Sequence, residues 1–184
     1  SATVFTLLSE STTQLMAEVE KKDYQDQVDT LLSMIDLFFS DTSILRLENL
    51  APLDLESYQG RTNNYIGQLG TMSKQLTDRS LQSEKIIKDL NDVRSRWKIT
   101  LDLSEENDLP ETMEDRVSRN LAGIDSVRTL VQQDVELILN LLDAITAAQT
   151  KLDAVNSEIV NLKKLSGATL FRKDMPNLFK DLER

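Results

Sequence analysis

From Leu55 to Trp97 the chain carries a row of residues that step by three and four without a slip: Leu55, Tyr58, Thr62, Tyr65, Leu69, Met72, Leu76, Arg79, Ser83, Ile86, Leu90, Val93 and Trp97. Alternating steps of three and four are the signature of a heptad seam on an α-helix. The spacing predicts a helix over about 54–103, roughly 75 Å long at 1.5 Å per residue, with Asp54 as its N-cap just after Pro52. Glu84/Lys88 and Asp92/Arg96 add i,i+4 pairs to the same helix. A second seam follows at Val117, Leu121, Ile124, Val131, Val135, Ile138, Leu142, Ile145, Leu152, Ile159 and Leu162. It predicts a helix over about 111–165, with Pro110 at the start, acids in the first turn and Ser166-Gly167 as the stop, glycine being the usual residue just past a helix end.

The first forty residues carry two shorter apolar sets. Phe5, Leu8, Leu15 and Val19 fall on one helical face, and Val28, Leu31, Leu32, Ile35, Phe38 and Phe39 fall roughly opposite. Either one helix continues and buries a different face at each end, or, as favoured here, it breaks near Lys21–Asp23 into helices over about 2–22 and 24–40, with Asp23 suited as N-cap of the second. Residues 41–52 read as a connection. The stretch Ser104–Pro110 is the one strong break in the second half, and a short turn between two helices of matched length makes an antiparallel hairpin. Folding at about Asn107 brings Trp97 near Val117 and Leu76 near Ile138. The fold expected is all-α: an elongated antiparallel helical bundle, or coiled-coil hairpin, of three to four helices. It forms one domain over 1–184, with the first stretch along the hairpin groove and a C-terminal strap over 168–184.

Composition narrows the chemistry. Five glycines and three prolines in 184 residues leave few turns, so the elements between them are long. Aromatics at 5% are too sparse for a β-sandwich of this size. A formal net charge of −10 argues against nucleic acid, whose phosphates need a basic face. With no cysteine and no histidine, disulfides, thiolate chemistry and most zinc sites are ruled out. No stretch approaches the roughly 20 apolar residues that span a bilayer. Ser1-Ala2, with no preceding methionine, resembles the remnant of a cleaved tag, so the chain reads as a piece of a larger protein.

No set of acid, base and nucleophile stands out, and neither a cofactor nor a metal is expected. Ser95-Arg96-Trp97-Lys98 spells S-x-x-K but lacks the companion motifs that give those letters meaning. Glu105, Glu106, Asp108, Glu111, Glu114 and Asp115 cluster at the turn without calcium-loop spacing, and helix-dipole compensation accounts for them. Arg79 and Ser83, with Thr62, are polar residues on the seam. Such a residue fixes register, lines a pocket between helices, or snorkels past its neighbours to solvent. In the tail, Phe171, Arg172, Lys173 and Phe179 alternate apolar and basic character. They suit either a strap packed on the bundle or a basic amphipathic segment that approaches a membrane or another domain.

Three features resemble the extramembrane N-terminal region of large MscS-type mechanosensitive channels. They are the helix ending in Leu90-Asn91-Asp92-Val93-Arg94-Ser95-Arg96-Trp97, the Leu-rich stretch from Arg116 to Leu165, and the closing segment Leu170-Phe171-Arg172-Lys173-Asp174-Met175-Pro176-Asn177-Leu178-Phe179. The resemblance covers the last two-thirds of the chain. It implies a non-catalytic periplasmic module with a structural or interaction role, joined on its C-terminal side to a membrane-embedded part, with protein partners (itself or other helices). The channel's pore residues lie in membrane segments that have no counterpart here. Two other functions suit the same bundle: the ligand-binding or signalling domain of a membrane receptor, with a pocket near Arg79, and a soluble cytoplasmic coiled-coil scaffold.

Overall fold

The computed structural model of the chain describes residues 24–41, 44–106 and 111–178. The expected first helix over 2–22, Asp23 as an N-cap, the turn tip at 107–110, and Phe179 with the residues after it lie outside the described residues. Within them the protein is all-α. Helix α1 spans Tyr24–Ser40, a 3₁₀ segment spans Ile44–Asn49, α2 spans Pro52–Glu106 and α3 spans Glu111–Leu178. The described residues contain no strand, and α2 and α3 run antiparallel as a helical hairpin. Two compact units divide it: one holds Gln75–Leu141, the other Tyr24–Lys74 and the part of α3 from 142 on.

In the first unit the seam residues of α2 and α3 form one core. Ile86, Leu90, Val93 and Trp97 pack with Val117, Ile124 and Val131, flanked by Ile87, Leu101, Leu121 and Val127. Trp97 and Leu90 are completely covered. Trp97 and Val117 thus share a cluster, as expected for a turn at about Asn107. The ion pairs obey the same register: Arg79 meets Asp134 and Arg94 meets Asp125, each pair nearly equidistant in sequence from the turn. The i,i+4 pairs Glu84/Lys88 and Asp92/Arg96 are not among the ion pairs of the described residues, where charge pairing is mainly between the helices.

In the second unit α1 adds a third helix. Its buried residues are Val28, Leu31, Ile35 and Phe38, spaced three and four apart so that they share one stripe. After Asp41 the chain turns through the 3₁₀ segment, which Arg46 (φ −132°, ψ 40°) divides in two. Leu47 from this segment is buried against Leu55 of α2 and Ile159 of α3, with Leu50, Tyr58, Val155 and Leu162 around them.

Every seam position expected on α2 is buried or half-buried, from Leu55 to Trp97. On α3 the innermost row recurs every seven residues: Val117, Ile124, Val131, Ile138, Ile145, Leu152 and Ile159 are all buried.

The helix ends differ from expectation in two places. Asp54 is not the N-cap of α2. The Leu55 amide donates to the Ala51 carbonyl at 3.1 Å, so Ala51 opens the helix and Pro52 takes its first position, where a missing N–H costs nothing and φ is already helical. Asp54 sits in the first turn, favoured there by the helix dipole. Nor does α3 stop at about 165: it continues through Ser166-Gly167 to Leu178, so the expected separate strap is, as far as Leu178, part of the helix. A mid-helix glycine costs only about 1 kcal/mol relative to alanine. Good helix formers on both sides, Lys163, Lys164 and Leu165 before and Ala168, Leu170, Arg172 and Lys173 after, outweigh it.

Candidate functional site

The polar residues on the seam are the positions where packing alone does not explain the residue type. Arg79 lies in α2 with its side chain only 13% exposed, and its Nε donates to Oδ2 of Asp134 on α3 at 3.3 Å. Ser83, one turn further along α2 and buried, donates its hydroxyl to the same carboxylate oxygen at 3.4 Å. Of the three roles open to Arg79, free snorkelling is the one the geometry does not support, since the guanidinium engages a carboxylate of the opposite helix. Asp134 was not singled out in the sequence. It lies three residues after the seam residue Val131, a flanking position, and the hairpin register alone places it opposite Arg79.

The node has a neighbour nearer the turn. Arg94 Nε donates to Asp125 Oδ1 at 2.8 Å and its Nη2 to Oδ2 at 3.4 Å. This is a two-pronged contact, of the kind that adds geometric specificity to charge. Arg128 lies 3.9 Å from the same carboxylate and donates to the Asn91 side chain at 3.3 Å. Both Arg94 and Asp125 are about two-fifths exposed, so solvent screens this pair far more than the Arg79 node.

The second unit satisfies its polar seam differently. Thr62 is completely buried, and its hydroxyl donates to the Tyr58 carbonyl one turn back at 2.8 Å, which uses up the group within its own helix. Tyr58 donates its hydroxyl to Asp41 Oδ2 at 2.9 Å, tying the end of α1 to α2. Around it Phe38 packs on Tyr65 and Tyr58, with ring centroids 5.4 and 6.0 Å away. The Arg61 guanidinium lies over the Phe38 ring at 4.8 Å, within cation–π range. Lys163 of α3 reaches the Gln59 side chain at 3.0 Å and Glu56 at 3.6 Å.

Apart from Thr62, which bonds within α2, these groups tie one element to another, and the Asp134 carboxylate that takes the Ser83 hydroxyl is also engaged by Arg79. Among the described residues no three acidic, histidine or cysteine side chains come together as metal ligands. The acidic turn residue Asp108 lies outside the described residues, and Glu114 and Asp115 fall in the first turns of α3. Of the tail residues, Phe171, Arg172 and Lys173 lie in the helical backbone of α3 and belong to the other unit from Arg79. Phe179 is outside the described residues. Among the described residues no helix is long and apolar enough to cross a membrane. No family model, curated protein or solved structure matches the chain.

Proposed function

We propose that this protein is a non-catalytic helical module with a structural or protein-interaction role, and that it serves as the periplasmic helical region of a mechanosensitive channel of the MscS type. The observation that carries the first half is the use made of the polar seam. Arg79, Ser83 and Asp134 engage one another across the hairpin, and Thr62 engages its own helix. The first three serve registry between helices, a well-attested use of seam polarity. The channel half is supported by the sequence likeness of the closing segment Leu170–Phe179, of which the part up to Leu178 continues α3.

These 184 residues hold no cysteine, so a cysteine introduced among them reports on this region once any cysteine elsewhere in the gene product is replaced. The gene containing this sequence is given a single reporter, Ser126→Cys, at an exposed position of α3. Intact cells are treated with a membrane-impermeant maleimide and then fractionated. The channel reading expects labelling in intact cells, in a polypeptide that sediments with the inner membrane, together with lower survival of hypo-osmotic shock when the gene is deleted. Labelling only after lysis, in the soluble fraction, would replace it with the cytoplasmic scaffold.

A further inference from the structure

Helix α2 is not uniform along its length. Residues 60–71 hold three glycines, two asparagines and two threonines in twelve positions, all from the weaker half of the helix-propensity scale. From 72 to 106 the same helix has no glycine. Thr62 and Thr71 also donate their hydroxyls to carbonyls one turn back, those of Tyr58 and Gly67, a bond that slightly loosens a helix. Packing does not call for the glycines, since a Cβ at Gly60, Gly67 or Gly70 would meet nothing within 4 Å. Their effect in the fold is therefore on the stability of the helix itself. In the same unit α3 is built the opposite way, with four alanines and no glycine over residues 142–165.

The ring and cation contacts of α1 fall on this soft stretch and its edge. Phe38 packs on Tyr58 and Tyr65, Arg61 lies over its ring, and the Tyr58 hydroxyl bonds Asp41 just past the end of α1. Helix α1 is itself weak. It has 17 residues with three aspartates and no basic residue, so nothing offsets the helix dipole at its last turn. A helix of that length is marginal alone. We infer that α1 is a releasable clasp on α2: seated through Phe38, it keeps residues 60–71 helical, and when it lifts, this stretch opens while α3 stays helical. Two marginal elements that are stable only against each other open as one cooperative unit. Release uncovers the α1 stripe Val28, Leu31, Ile35 and Phe38 and makes one arm of the hairpin flexible where it was rigid. The inference does not depend on the channel reading.

Amide hydrogen exchange on the full chain tests the clasp. In the wild type, residues 60–71 are expected to show the same protection as 24–40, and to exchange at least about tenfold faster than 145–159. Arg61→Gln keeps helix propensity nearly constant and removes the cation over Phe38. Protection is then expected to fall about two- to fivefold in 24–40 and 60–71 alike, and to stay unchanged in 145–159. Phe38→Ala is expected to lower it about a hundredfold in the same two segments. Adding Gly60→Ala, Gly67→Ala and Gly70→Ala to Phe38→Ala is expected to return at least about tenfold protection to 60–71 and less to 24–40, so that the two segments no longer open together. Equal loss in 145–159 and 60–71 would show that the unit opens as one body. A stretch 60–71 that stays protected when 24–40 opens would show that α3 alone holds α2. Either outcome overturns the clasp, and so does an alanine variant that regains nothing over 60–71, because the glycines then do not set its softness.

Discussion

The two units use one heptad seam in different ways. In the unit built on Gln75–Leu141, charged residues cross between α2 and α3: Arg79 and Ser83 to Asp134, Arg94 to Asp125. In the unit built on Tyr24–Lys74 and the rest of α3, a third helix is held by rings, with Phe38 among Tyr58, Tyr65 and Arg61. Where two long seams meet, a heptad shift leaves most apolar residues still facing apolar ones, so apolar packing discriminates weakly among registers. A charged pair with one correct partner discriminates well. Where α1 joins, large rings of fixed shape supply that discrimination through packing. Among the described residues, charge therefore ties α2 to α3 in both units, most deeply at Arg79, while the shape of the rings aligns α1 in the second.

Optical probes separate the units. The single tryptophan, Trp97, lies in the first, while the three tyrosines, Tyr24, Tyr58 and Tyr65, all lie in the second. Trp97→Ala has the largest expected effect. It empties a completely buried site and is expected to destabilise the first unit by about 3–5 kcal/mol, read as the loss of amide-exchange protection around Ile86–Val131. If protection around Phe38 falls equally, the two units unfold as one. Phe38→Ala is expected to cost the second unit about 3–4 kcal/mol, seen in the near-ultraviolet tyrosine signal while tryptophan emission stays unchanged.

Replacing Gly60, Gly67 and Gly70 together by alanine works in the opposite direction. All three sit inside α2 in the second unit, and a Cβ at each would meet nothing within 4 Å. Each replacement is expected to add about 0.5–1 kcal/mol, and denaturant titration followed by the tyrosine signal should show a higher midpoint. No gain would mean that this part of α2 needs its backbone freedom.

Arg79→Ala is expected to destabilise the first unit by about 1–2 kcal/mol, because Asp134 keeps its charge and loses its partner. Changing Arg79 and Asp134 together to leucine should recover most of that stability while loosening registry, measured as extra spin-label distances across the hairpin. A double replacement that keeps one sharp distance would show that charge is not what aligns this unit. Arg94→Ala has the smallest expected effect, below about 1 kcal/mol, since its pair is exposed, and the effect should vanish in high salt when followed by tryptophan emission.

Much of the hairpin was legible in the residues. The α2 seam was readable to the last position because a heptad row leaves no choice of face, and the turn near Asn107 set which residues meet across it. Arg79 stood out because a charge on such a row demands a reason. Its partner did not, because Asp134 is one of many acids on a helix rich in them, and only the register selects it. The bond from Tyr58 to Asp41 was equally hidden, since local sequence does not say which tyrosine meets which carboxylate.

The ends of the helices show where local reasoning loses. Asp54 and Gly167 both carry strong boundary signals, and both were overruled: one because Pro52 is better suited to open a helix, the other because a single glycine costs less than the residues around it contribute. The sequence by itself determined the helical class, the seams and the hairpin register, because a repeat of seven on a helix of 3.6 residues per turn permits one buried face. Only the tertiary structure decided that Arg79 is neutralised by Asp134, that Phe38 seats among two tyrosines and an arginine, and that α3 continues to Leu178. Those outcomes depend on which groups from distant parts of the chain come within a few ångströms of one another, and on sums of small competing energies that no local pattern contains.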